Sequence, residues 1–158
     1  MMGVSGCGKS TVAEGLAAGI GGRFFDSDRF HPQANIDKMS RGEPLNDDDR
    51  WPWLSLVARE LSRGDGDVVG ACSALKRIYR QHIASESGGN VTFLHLSGSK
   101  ELIADRMAAR DGHFMPLGLL DSQFAALEPP EGEPGAISIE ILADTKTVIA
   151  DAIRAVRP

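Results

Sequence analysis

Apolar positions along this chain follow two rhythms. Short runs at Arg23–Asp26 (RFFD), Asp67–Cys72 (DVVGAC), Val91–Leu96 (VTFLHL) and Ala136–Leu142 (AISIEIL) have the length and β-branched or aromatic content of strands. Between them, apolar residues recur every three or four positions over Ser10–Ala18, Ile36–Arg41, Trp53–Arg63, Leu75–Ser85, Lys100–Arg110, Leu119–Leu127 and Thr147–Val156. That spacing predicts helices buried along one side. Gly42 and Gly64 follow two of these segments, where a left-handed cap is wanted. Strands alternating with helices predict a parallel sheet covered on both faces, hence an α/β protein.

Composition narrows the class. The chain has 158 residues, enough for one domain with a real core. An excess of 22 Asp and Glu over 17 Lys and Arg gives a charge of −5, which argues against nucleic acid or an anionic membrane as the main partner. No apolar run reaches membrane-span length, and no secretory leader pattern opens the chain. Cys7 and Cys72 are too few for a disulfide framework or a zinc site, so a reducing compartment, the cytoplasm, is expected. The Pro- and Gly-rich stretch 128–135 is too short for a linker and reads as a surface loop.

Candidate chemistry begins at the first residues. Gly3–Ser10 (GVSGCGKS) fits the phosphate-loop pattern G-x-x-x-x-G-K-S/T without mismatch, and a predicted helix follows it. Such glycines let backbone N–H groups encircle phosphate oxygens at a helix N-terminus. Lys9 would reach the β- and γ-phosphates, and the Ser10 hydroxyl would ligate Mg²⁺. Cys7 could be activated there, although a small residue fitting a tight loop is the simpler reading. Asp26 and Asp28 stand at the carboxyl end of the second strand, beside the loop in a parallel sheet. One could hold a metal-bound water and the other accept a proton; strand-end carboxylates facing solvent are the plain alternative.

Three further segments carry charge in unusual places. In Gly42–Leu54 (GEPLNDDDRWPWL) three acids precede a helix expected to begin near Pro52, where capping accounts for them but not for Arg50. An arginine in a cleft suits a substrate carboxylate. In Cys72–Arg80 (CSALKRIYR), Lys76 and Arg80 are four apart on one expected helix face, either a ligand contact or a solvated basic face. Arg106–Pro116 places Arg106 and Arg110 one turn apart before a glycine, resembling a phosphate-covering lid over about 110–118, with His113 read as structural rather than catalytic.

Together GVSGCGKST, FFDSDRFHPQANIDKMSRGEPLNDDDRWPWL, CSALKRIYR and RDGHFMPLGLLDSQFAALEPP resemble the gluconokinase family of P-loop kinases, related to shikimate and adenylate kinases. The resemblance covers nearly the whole chain. It implies ATP-dependent phosphorylation of D-gluconate to 6-phospho-D-gluconate in carbohydrate metabolism, with ATP and Mg²⁺ as cofactors. The implied fold has three layers, with a five-stranded parallel sheet in the order 2-3-1-4-5 and a short lid, in a single domain over 1–158. A homodimer is implied, with no nucleic-acid or membrane partner.

The implied nucleotide site is Gly3, Val4, Ser5, Gly6, Cys7, Gly8, Lys9, Ser10 and Thr11, with Arg106 over the adenine. Ser10 and Asp26 would hold the metal, Asp26 through water. Lys9, Asp28 and Arg110 would be catalytic, Asp28 orienting or deprotonating the C6 hydroxyl and Arg110 neutralising the transferring phosphoryl. Asp28, His31, Arg50, Lys76 and Arg80 would bind the polyol and its carboxylate. Asp111 stands where some relatives have a basic residue. Other small polyol acids or a nucleoside monophosphate are the alternative substrates, and a nucleotide-binding protein without turnover is the alternative class. In the family the first strand is central, and Met1–Met2 supply only its last piece. An upstream extension of about four to ten residues rich in Val, Ile and Leu is therefore expected.

Overall fold

The computed structural model describes residues 1–109 and 117–157. In chain order its elements are α1 (Lys9–Ile20), β1 (Arg23–Asp26), a 3-10 turn (Ser27–Phe30), α2 (Gln33–Ser40), α3 (Asp47–Leu61) and β2 (Val68–Ala71). Then come α4 (Arg77–Glu86), β3 (Phe93–Ser97), α5 (Lys100–Ala108), α6 (Leu117–Ala126), β4 (Ala136–Glu140) and α7 (Thr145–Val156). The chain is α/β, as its apolar rhythms predict. The lid expected over 110–118 falls mostly outside the described residues.

The strands pair in parallel, β1 with β2 in the register Phe25–Gly70 and β3 with β4 in the register Leu96–Ile139. Met1 and Met2 lie between the two pairs. The Met1 carbonyl accepts from Cys72 N–H at 3.0 Å, while Met2 N–H donates to the Leu94 carbonyl at 2.7 Å and its carbonyl accepts from Leu96 at 3.0 Å. Side chains alternate between two cores, as a period of two requires. Val69, Ala71, Leu94 and Leu96 pack with Val12, Leu16 and Val148 of α1 and α7. Met2, Phe25 and Cys72 pack on the other side with Trp53, Leu54, Val57, Tyr79 and Ile83 of α3 and α4. Gly70 is required by this second core, because a Cβ there would lie 2.6 Å from the Phe25 ring.

Two helix starts differ from expectation. α3 begins at Asp47, not near Pro52, because Asn46 and Asp49 form a reciprocal capping box and all three acids sit in the first turn. Pro52 therefore lies inside the helix, and the stabilised start offsets its missing N–H donor. α4 begins at Arg77, leaving Lys76 as an extended N-cap residue outside the helix. Lys76 and Arg80 consequently do not share a helix face. Gly42 and Gly64 have φ of 75° and 85°, the left-handed conformation expected of them.

Candidate active site

The loop from Gly3 to Gly8 joins the central Met2 to α1. Gly6 has φ of 81°, and a Cβ on it would come within 2.5 Å of Met107. Gly8, at φ 96°, is the N-cap of α1. Both positions favour glycine for their left-handed conformation, and Gly6 also for its close approach to Met107. The turn that results delivers Lys9, Ser10 and Thr11 to the first turn of α1, whose positive end favours an anion. The Lys9 ammonium donates back to the Val4 carbonyl at 2.9 Å. Cys7 is buried, in keeping with a small residue filling the loop. A groove of about 330 Å³ beside the loop is lined by Gly6, Gly8, Thr11, Arg106, Asp144 and Thr145. Arg106 donates to the Ile141 carbonyl there.

Asp26 ends β1 and caps the 3-10 turn, accepting Asp28 N–H at 3.0 Å on one oxygen. Its other oxygen accepts the Ser10 hydroxyl at 2.6 Å. A hydroxyl and a carboxylate are hard oxygen donors, chemically suited to Mg²⁺ with water completing the shell. Among the described residues no group of three or more His, Cys, Asp or Glu is placed to hold a metal by itself. Asp28 opens to solvent on one side, yet partial burial raises its pKa, helped by the Asp26 charge and opposed by His31 and Lys9. His31 is held neutral by burial, which lowers its pKa against the pull of Asp28. It stacks on Trp53 at 4.2 Å, and Trp53 is fixed by an indole N–H bond to the Ser27 carbonyl at 2.8 Å. Buried Asn35 sits 3.4 Å from His31 Nδ1 and donates to the Asp49 carbonyl at 2.8 Å, tying α2 to α3.

A second cleft, of about 550 Å³, opens where the start of α3 faces the approach to α4 and α6. Its wall includes Asn46, Asp47, Arg50, Lys76, Ser122 and Gln123. Asp47 accepts from Lys76 Nζ at 2.7 Å and from the Tyr79 hydroxyl. Those two hydrogen bonds lower the Asp47 pKa, and the same contact raises that of Lys76. Arg50 donates to the Leu45 carbonyl, stands 3.5 Å from the Tyr79 hydroxyl and also bears on His31 electrostatically. Two cations beside one carboxylate and several neutral donors can recognise a small anion carrying hydroxyl groups.

The expected site residues divide accordingly. The loop residues, Asp26, Asp28 and His31 cluster on one side, Arg50 and Lys76 line the cleft, and Arg106 borders the groove. Arg80 is a correction. Its guanidinium is 2 % exposed and fully engaged, donating to both Glu133 oxygens and to the carbonyls of Ala74, Leu75 and Glu128. With every donor satisfied inside the protein, it is a structural cross-link and offers nothing to a substrate. Arg110, expected to be catalytic, lies outside the described residues, as do Asp111 and His113. Asp47, Tyr79 and Gln123 were not singled out from sequence. Asp47 was one of three equivalent acids, Tyr79 sat unassigned inside CSALKRIYR, and nothing local marks Gln123.

The AAA domain family model matches residues 1–130. The chain is 43% identical to the gluconokinase of Gluconobacter oxydans over 98% of its own length and 88% of that protein. It is 40% identical to the thermoresistant gluconokinase of Escherichia coli, covering 99% of this chain and 91% of that one. Among solved structures, a gluconokinase from Sinorhizobium meliloti superposes with a TM-score of 0.91 at 43% identity, covering 97% of this chain and 87% of that chain. A shikimate kinase from Bacteroides thetaiotaomicron, 13% identical, shares the fold at a TM-score of 0.66 over 99% of this chain and 96% of that chain. With a P-loop kinase fold and this identity over nearly its full length, the chain belongs to the gluconokinase family.

Proposed function

We propose that this chain transfers the γ-phosphoryl group of ATP to the C6 hydroxyl of D-gluconate, giving ADP and 6-phospho-D-gluconate. The observation that carries the reading is that Asp26, at the end of β1, accepts the Ser10 hydroxyl at 2.6 Å and the Asp28 N–H at 3.0 Å, which ties Asp28 to the start of the helix behind the phosphate loop. A carboxylate whose pKa is raised by burial thus stands beside the phosphate loop, while a cleft with two cations opens at the start of α3. Full-length identity to named gluconokinases supports the choice of substrate.

In this reading the loop amides, Lys9 and the α1 N-terminus hold the β- and γ-phosphates. Arg50 and Lys76 bind the gluconate carboxylate, Asp47 and neutral His31 bind its hydroxyls, and Tyr79 holds Asp47 in place through its hydroxyl. Asp28 accepts the C6 hydroxyl proton as that oxygen bonds to the γ-phosphorus and the bond to the β-phosphate oxygen breaks, leaving ADP. Ser10 and Asp26 would hold Mg²⁺, which when bound would supply positive charge against the phosphate oxygens. Arg106 borders the groove taken for the adenine, and Arg110, outside the described residues, keeps its expected role of neutralising the transferring phosphoryl. The same reading takes Met1–Met2 as part of the first strand of a 2-3-1-4-5 sheet. It also carries a homodimeric, cytoplasmic enzyme.

A coupled assay for ADP release tests the reading, run with gluconate, shikimate and AMP in parallel. Gluconate should support Mg²⁺-dependent turnover far above the other two, and Lys9→Ala should abolish it without unfolding the protein. Equal rates on all three acceptors, or a Lys9→Ala variant with near-normal turnover, would overturn it.

A further inference from the structure

One side chain touches both halves of the site. Gln123, half-buried on α6, accepts the Ser5 backbone N–H on Oε1 at 2.7 Å. Its Nε2 donates to the Ser5 hydroxyl at 3.1 Å. Ser5 is part of the phosphate loop, whereas Gln123 also lines the cleft that contains Arg50 and Lys76. The amide matches this task because one planar group offers an acceptor and a donor together, as Ser5 requires.

α6 is itself anchored to the acceptor wall. Leu120 is fully buried. Just past the helix, Glu128 donates its N–H to the Leu75 carbonyl at 2.9 Å and accepts Arg77 N–H on its carboxylate at 2.6 Å. Its carbonyl accepts from Arg80 at 3.0 Å. Lys76 stands between the Leu75 and Arg77 groups that hold this end. The helix therefore spans from the segment carrying Lys76 to the phosphate loop, with Gln123 as its contact on the loop.

We infer that Gln123 is a positioning residue for phosphoryl transfer, fixing Ser5 of the phosphate loop at a set distance from the acceptor bound against Arg50 and Lys76. This rests on the kinase reading above. An in-line transfer needs donor and acceptor within a near-attack separation, so a side chain that sets the spacing acts mainly on kcat.

The test is steady-state kinetics of Gln123→Ala with calorimetric binding of the non-hydrolysable analogue AMPPNP. Gln123→Ala should lower kcat by ~10- to 100-fold, since a misplacement of about 1 Å has that cost. Gluconate KM should change much less, and the melting temperature should hold. An unchanged kcat would overturn the inference, as would a gluconate KM rise with kcat preserved, which makes Gln123 a cleft contact only. Gln123→Glu covers the case in which the alanine variant fails to fold. It keeps shape and acceptor but sets a negative charge against the phosphate loop, so AMPPNP should bind more weakly than to the wild type. Unaltered AMPPNP affinity in Gln123→Glu would refute the contact with the loop. Because that binding arm needs no acceptor, it reads out even if wild-type turnover on gluconate is absent, the outcome that would instead sink the kinase reading.

Discussion

At the residue scale, Asp28 illustrates how a site residue trades stability for function. Its folded pKa is raised, chiefly by burial and then by Asp26. Between the ordinary carboxylate value and that raised value, the folded protein holds a proton the unfolded chain has released. Stability therefore falls as pH rises through this window, and the deficit persists at neutral pH. Asp28→Asn should raise the melting temperature at pH 7, with the gain shrinking as pH falls through that window and gone below the ordinary carboxylate value. The same variant should lose ~10²- to 10⁴-fold in kcat with ATP KM spared, as expected for loss of a general base. Melting curves across pH and initial rates check the two halves separately. An unchanged kcat would move the proton-accepting role elsewhere.

At the scale of elements, the start of α3 and the cross-link at α4 divide the labour. Asn46 and Asp49 cap α3 so that Asp47 and Arg50 enter the cleft from one rigid turn. Lys38 pairs with Asp49 at 2.6 Å and braces that turn from α2. On the opposite wall, Arg80 ties α4 to the segment after α6 through Glu133, whose pKa this contact lowers. Arg80→Ala would remove both hydrogen bonds to Glu133 and those to the Ala74 and Glu128 carbonyls, leaving the Leu75 carbonyl with the Glu128 N–H alone. Chemical denaturation should show a loss of ~3–5 kcal/mol, typical of breaking a buried pair. Gluconate KM of the folded fraction should stay near wild type. A large KM rise with stability intact would restore Arg80 to the substrate site.

At the scale of the molecule, the parallel strands bring the loop, the β1 end and the α4 approach to one edge, so the proposed reaction places both ligands on the same face of the fold. Ligands that bind only the folded state stabilise it by mass action, about 2.7 kcal/mol at one hundred times Kd. Thermal melts should therefore rise with AMPPNP and Mg²⁺ and rise further on adding gluconate, while shikimate and AMP add little. A chain stabilised by nucleotide alone, with no acceptor adding to it, would be a nucleotide-binding protein without this kinase activity.

The sequence by itself determined what depends on neighbours along the chain. The phosphate loop is local because its glycine conformations and its helix start lie within ten residues. The strand rhythm and the Asp26–Asp28 pair at a strand end are local for the same reason, and the family was legible in contiguous motifs. Only the tertiary structure decided which charged residue meets which partner. Lys76 and Arg80 look alike in CSALKRIYR, yet one ends at Asp47 in the cleft and the other is consumed by Glu133, 53 residues further on. Gln123 joins Ser5 across a separation of 118 residues. No periodicity or local propensity encodes such pairings, because they arise when packed layers bring distant segments into hydrogen-bonding range and burial makes an unpaired polar group costly.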